Sequence, residues 1–315
     1  MKRIVSFLLM SLMAWNANAT MTAVEAFKQL NFQHKKTNNV SSYFMTENSQ
    51  HLPIAEDIVT NSIAFYQQLF GQSFQISLAL PNKSGFKAYK ALTGDRPPYG
   101  MPYVRPNGDD KNHYVVILPA TKSGVISQSV IDLKDKASLV TKKSIIDTGH
   151  SFEQAATIFP YIIGAHEVSH VYVRNYGIYP INAWTNEFLA QLGAYVYLAE
   201  RKPKLARLFE LTSYQINAEA YELEDSSLER FERLYSGVGA KDYAWYQGMF
   251  LKLAIMAYQE HGTDIFKVLK KQFPAGLVEN NADVATRLAT ERAQFMQIIP
   301  NYDDWFQAFK KSNNE

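Results

Sequence analysis

From Ile54 to Phe70 apolar residues recur at three- and four-residue spacing, and Gly71 ends the pattern, which predicts an amphipathic helix. Ser73 to Leu80 (SFQISLAL) alternates apolar and polar, the period of a half-buried strand. Phe86 to Leu92 predicts a short helix, and the Gly/Pro-rich stretch from Gly94 to Gly108 a loop. His113 to Leu118 (HYVVIL) reads as a second strand, and residues 125 to 146 as one or two more. The period then becomes helical. Ser151 to Tyr176 is strongly apolar and stops at Gly177, and Ala183 to Arg201 stops before Pro203. From Leu205 onward four to six helices are expected, with breaks near Gly237 to Gly239, Gly262, Pro274 to Gly276 and Pro300. Residues 20 to 50 are polar and predict a loosely docked arm. The pattern thus predicts an α+β chain: a mixed helix/strand lobe over 51–177, then a helical lobe over 178–315.

The N-terminus adds a compartment. Lys2 and Arg3 precede a largely apolar run from Ile4 to Trp15, closed by Ala17-Asn18-Ala19, the layout of a signal peptide cleaved after Ala19. Twelve residues at a rise of about 1.5 Å span roughly 18 Å, too short for a ~30 Å hydrocarbon core. The expectation is an exported protein, periplasmic or secreted, with no stable membrane anchor. Losing Lys2 and Arg3 takes the 32 basic residues to 30, equal to the 30 acidic ones, so charge gives no argument for nucleic acid. Cysteine is absent, which excludes disulfides and a thiol nucleophile and restricts any metal site to His and carboxylates. Oligomeric state is left open.

Residues 166 to 170 read His-Glu-Val-Ser-His. On a helix, positions four apart are neighbours, so the imidazoles of His166 and His170 can share one zinc ion at ~2.0 Å each. Glu167 lies about a quarter-turn round. Its carboxylate reaches the open coordination position, where it can take a proton from the attacking water and pass it to the leaving amine. The same pentapeptide also arises by chance on ordinary amphipathic helices. Against that, two histidines on a mostly apolar helix make poor core residues without a partner.

A catalytic zinc needs a third protein ligand. The other histidines are His34, His51, His113, His150 and His261, and none follows the motif at short spacing. Glu187 comes 17 residues after His170, on the next predicted helix, beside Phe188, Leu189, Leu192 and Val196. A carboxylate facing that apolar set needs a partner. Its alternative is a surface charge favouring the helix dipole.

HEVSHVYVRNYG followed by AWTNEFLAQLGAYVYL resembles the gluzincin clan of zinc metallopeptidases, specifically the peptidase MA-like group. The likeness is specific around residues 160 to 200 and looser over 54 to 312, including YAWYQGMF at 243 to 250 and DDWFQAF near the end. The resemblance implies a zincin-like fold with the HExxH helix between the lobes. It makes His166, His170 and Glu187 the ligands of one zinc per chain, with Glu167 as base. Gln191 stands where thermolysin-like members carry an Asp that orients a zinc histidine, so Gln191, Asn186 or a distant carboxylate must take that task. Relatives place a Tyr or His late in the chain as oxyanion donor, which points to Tyr243 first and Tyr246 second.

The expected activity is hydrolysis of peptide or protein substrates, with HYVVIL as the edge strand on which an extended substrate pairs. The alternative is an inactive zinc-binding module that recognises peptides or envelope proteins. Glu167 argues against it, because a binding module has no need of a base beside the metal.

Overall fold

The computed structural model describes residues 21–37, 40–118, 124–279 and 281–309. The leader at 1–19 lies outside them. No helix among the described residues is long and apolar enough to cross a membrane.

Five strands form one sheet in the order β1-β2-β3-β5-β4: β1 Gln33–Thr37, β2 Val40–Phe44, β3 Gln75–Leu80, β4 Tyr103–Asn107 and β5 Asp110–Ile117. The three central strands β2, β3 and β5 are parallel, and both edges are antiparallel. Alternation assigns the faces. Val40, Phe44, Ile76, Leu78, Leu80 and Val116 point into the main core, while Tyr43, Ala79, Val115 and Ile117 point into a smaller one. The smaller core is closed by α1 (Ala23–Gln29) and α3 (Lys83–Thr93). The main core is covered by α2 (Leu52–Phe70), α4 (Val125–Asp132), α5 (Leu139–Asp147) and the long α6 (Phe152–Tyr176).

Ser151 caps α6 through a reciprocal capping box with Gln154, and Gly177 ends it in a left-handed conformation with φ 95°. Next come α7 (Ala183–Arg201), α8 (Pro203–Phe209), a π-turn at Glu210–Gln215, α9 (Ile216–Ala220), α10 (Leu228–Leu234) and α11 (Ala240–His261). The last helices are α12 (Ile265–Gln272), α13 (Val284–Phe295) and α14 (Tyr302–Phe306). One apolar core runs from Val40 on β2 to Trp305 on α14, so sheet and helices share an interior.

Three sequence expectations are corrected. Residues 21–50 are no loose arm: they supply α1, β1 and β2, with Phe27 and Tyr43 stacked in the smaller core. Residues 125 to 146 form α4 and most of α5, with no strand. HYVVIL lies between β3 and β4, so it is not an edge. The edge on that side is β4, hidden in the stretch read as a loop. Among the described residues the helices from Leu205 onward number six, as the upper end of the expectation has it, once α8 and α9 are taken as one helix running through the π-turn.

Strand β4 is pinned from outside the sheet. Tyr103 and Arg105 flank Val104 and both donate to Asp95, as does Tyr89, at 2.7 Å for each tyrosine. Val104 packs against the main core.

Candidate metal centre

α6 and α7 pack closely enough that a methyl group at Gly193 would lie 1.8 Å from Ser169 Oγ. That approach sets Glu187 on α7 against His166 and His170 on α6. His166 Nε2 is 3.1 Å from His170 Nε2 and 3.6 Å from Glu187 Oε2, and His170 Nε2 is 3.9 Å from Glu187 Oε1. A tetrahedral ion with bonds near 2.0 Å separates its ligand atoms by about 3.3 Å. The three edges bracket that value. Two imidazoles and a carboxylate can therefore hold a metal ion, and among the described residues this is the group of three such side chains that converges. His166, Glu167 and Glu187 are buried, and His170 is half-buried.

Two acids from far along the chain, the half-buried Glu232 and the buried Glu291, fix the start of α7. Glu232 accepts from Ala183 N and Trp184 N at 3.0 and 2.7 Å. Glu291 accepts from Ile181 N, Asn182 N and Asn182 Nδ2 at 2.9, 3.0 and 2.7 Å. These carboxylates satisfy N–H groups that a helix start leaves unpaired and favour its dipole. Trp184 packs on Phe188, Phe250, Phe295 and Trp305, locking the same turn from the apolar side.

The Glu187 carboxylate is held on both oxygens. Tyr235 donates to Oε1, while Tyr243 donates to Oε2 at 3.3 Å and Gln247 at 2.7 Å. Gln247 in turn accepts from Gln191 Nε2 at 2.6 Å. Burial pushes the tyrosine hydroxyls of Tyr235 and Tyr243 well above their ordinary range, so both remain donors. Tyr235 sits at φ 48° and ψ −123°, a conformation costly for a bulky residue and of the kind found at functional sites.

Electrostatics separates the two glutamates. Burial raises the Glu167 carboxyl to about 7, aided by the charge of Glu187 and opposed by His166 and the Val104 backbone N–H. Burial opposes ionisation of Glu187 too, but hydrogen bonding to His166 and the charges of both histidines hold it near 2. Burial and the neighbouring His166 push His170 down to about 4. His166 is raised despite its burial, by hydrogen bonding to Glu187 and by the charges of Glu167 and Glu187. One buried carboxyl is thus a standing anion facing the imidazoles, and the other exchanges its proton near neutrality. That is the split expected of a ligand and a base.

The structure brings His166, Glu167, His170, Glu187, Gln191 and Tyr243 together. Tyr246 is elsewhere, its hydroxyl donating to Ser227 O at 2.9 Å, and Asn186 bonds back to Asn182 O within its own helix. His113 is engaged by Ser77 and Asn107, His150 by Thr148 and His261 by Ile298 O. His34 and His51 stack on Tyr43 and Tyr161. Sequence reasoning missed Tyr235, Gln247 and Val104. Gln247 had a signal, one helical turn beyond Tyr243 on the same face. Tyr235 had none, since it lies in a break between helices.

Comparison with known protein families, with curated proteins and with solved structures finds no match.

Proposed function

We propose that this chain is a zinc-dependent peptidase of gluzincin type, exported by its leader, that hydrolyses peptide or protein substrates. The observation that carries the reading is Glu167. Its buried carboxyl lies next in sequence to His166, exchanges its proton near neutral pH, and faces the backbone of the edge strand β4 at Val104. His166, His170 and Glu187 would hold the zinc ion, which when bound would supply a Lewis acid and lower the pKa of the attacking water from 15.7 to about 7.

The rest is work of the chain's own side chains. Glu167 accepts the proton of the attacking water and returns it to the leaving amine, which asks for a pKa near the working pH. The outer side of β4, pinned by Asp95, offers backbone groups on which an extended peptide pairs, in place of β5. Tyr243 and Tyr235 place two hydroxyls beside the ligand carboxylate, close enough for one to donate to an oxyanion. The zincin-like reading of the fold is supported by the arrangement of elements: a sheet whose antiparallel edge strand β4 lies against α6, and α6 packed on α7, with His170 and Glu187 17 residues apart.

The experiment is cleavage of a peptide library by the purified protein, read by mass spectrometry, before and after chelation and after zinc is restored. The reading expects cleavage that chelation abolishes and zinc restores. A protein that holds zinc yet cleaves nothing overturns the enzymatic reading in favour of a binding module. Cleavage indifferent to chelation removes the metal from the chemistry.

A further inference from the structure

Large apolar side chains standing side by side in water forgo the free energy of burial, so a cluster of them on a surface marks a contact. Among the described residues six large apolar side chains are exposed. Three of them, Leu139, Val140 and Ile146, lie on the nine-residue helix α5, at 84, 75 and 65 % exposure. The helix itself is firmly held. Its opposite face buries Thr141 and Ile145, and Glu219 accepts from Ser138 N, Ser138 Oγ and Thr141 Oγ1 at 2.9, 3.0 and 2.7 Å. The aliphatic residues are therefore displayed by a fixed element.

Three constraints bear on what covers them. At about 100° per residue, Lys143 lies at the middle of the face, about 40° from Leu139 and about 60° from Val140 and Ile146. A dry protein groove over this face would bury its ammonium group, and a two-fold pairing of α5 with itself at its midpoint would set Lys143 against Lys143. The face is also small, a handful of side chains against the roughly 20 to 30 residues a side of a stable protein interface. Finally, the chain has nothing of its own to lay there. After the leader, the segments outside the described residues (20, 38–39, 119–123, 280 and 310–315) hold no large apolar residue.

A lipid surface meets all three constraints. Its acyl boundary takes aliphatic side chains in small numbers, and a lysine among them stretches its stem so that the ammonium stays at the phosphates. Local charge agrees, although the exported chain is neutral overall. Lys142 and Lys143 on α5 and Lys204 on α8 have no ion-pair partner among the described residues. Asp147 is the acid on this helix, and it shares a groove with Lys204 and with Arg207, itself paired with Glu210 at 2.6 Å.

We propose that the outer face of α5, with Leu139, Val140, Lys143 and Ile146 at its centre, is a reversible docking surface for a bilayer with anionic headgroups. Such a contact gathers the protein at a membrane without anchoring it. It is independent of the metal site, so its failure leaves the peptidase reading where it stands.

The test is flotation of the purified chain with vesicles of phosphatidylcholine mixed with phosphatidylglycerol, against vesicles of phosphatidylcholine alone. Wild type should float with the mixed vesicles, less with the neutral ones, and detach as salt is raised. Leu139→Gln and Ile146→Gln should each weaken binding about tenfold, and Lys143→Gln about fivefold. All three positions are exposed, so thermal unfolding of the variants should match wild type. Because the sequence has no cysteine, Ile146→Cys takes an environment-sensitive fluorophore at one site, and its emission should shift to the blue on the mixed vesicles. Wild type that ignores the mixed vesicles overturns the proposal, as does flotation unchanged in Leu139→Gln and Ile146→Gln. Equal binding to both kinds of vesicle overturns it too, because the charge of Lys143 then counts for nothing. A concentration-dependent dimer that Ile146→Gln dissociates gives the face to a second copy and overturns the lipid occupant.

Discussion

Gly193→Ala puts one methyl group into the seam between the ligand helices. Its carbon would stand 2.7 Å from Ser169 Cβ and 1.8 Å from Ser169 Oγ. The hydroxyl can rotate away, since it makes no hydrogen bond, but the β-carbon cannot. Carbon atoms settle at about 3.5 to 4.0 Å, so α6 and α7 must part by roughly 1 Å. Alanine gains about 1 kcal/mol over glycine in helix propensity, while overpacking costs about 1 to 3 kcal/mol, so the clash wins or breaks even. At roughly 2 to 4 °C per kcal/mol, the melting temperature should fall by as much as ~8 °C. Zinc binding should suffer more, because Glu187 stands 3.6 and 3.9 Å from the two histidines and another ångström carries it beyond a shared ion. The assays are thermal unfolding of metal-free protein and zinc affinity by chelator competition. Ser169→Gly removes both clashing atoms, so the double variant should recover zinc affinity. Wild-type zinc affinity in Gly193→Ala would refute this account of the seam.

Other outcomes follow from the same geometry. His166→Ala, His170→Ala and Glu187→Ala should each lose most of one zinc per chain by elemental analysis, and full occupancy in Glu187→Ala would remove it as a ligand. Tyr243→Phe should keep zinc and lower turnover roughly 10- to 1000-fold by removing an oxyanion donor, whereas unchanged turnover would pass that role to Tyr235. Glu291 is held at about 7 by burial, above its unfolded value of 4.5. Its contribution is full below pH ~4.5 and lost as pH rises through ~7, a drop of about 3 kcal/mol. In urea unfolding at pH 5 and pH 8, Glu291→Gln should flatten that part of the slope, and an identical slope would contradict it. Expressed with its leader, the protein should leave the cytoplasm beginning at Thr20, and mass spectrometry finding Met1 intact would contradict export.

The helices that carry the site were legible because their signals are local. Gly71 and Gly177 stop α2 and α6 where the apolar period ends, and the four-residue spacing of His166 and His170 needs nothing beyond helix geometry. Glu187 was legible for a similar reason, as a carboxylate among Phe188, Leu189 and Leu192. What stayed hidden depends on distant partners. Strand β4 carries Pro106 and follows Pro97, Pro98 and Gly100, so its composition reads as loop. It becomes a strand because β5 pairs with it and Asp95 clamps it. Residues 21–50 look too polar to dock until β2 finds a parallel neighbour in β3 and Glu56 receives Ser42 and Lys35. Apolar β-branched residues at 125, 126, 130 and 131 suggested a strand, yet tertiary packing on α6 made a helix. Glu232 and Glu291 cap α7 from 48 or more residues away, a distance at which no spacing rule operates.

The most direct test of the central claim compares wild type with Glu167→Gln for zinc content and peptide turnover in the same preparations. Glutamine keeps the shape of the side chain but cannot take a proton at neutral pH. The account predicts full zinc in both proteins and turnover lower by a factor of about 10² to 10⁴ in the variant. Equal turnover, with zinc bound in both, would contradict it.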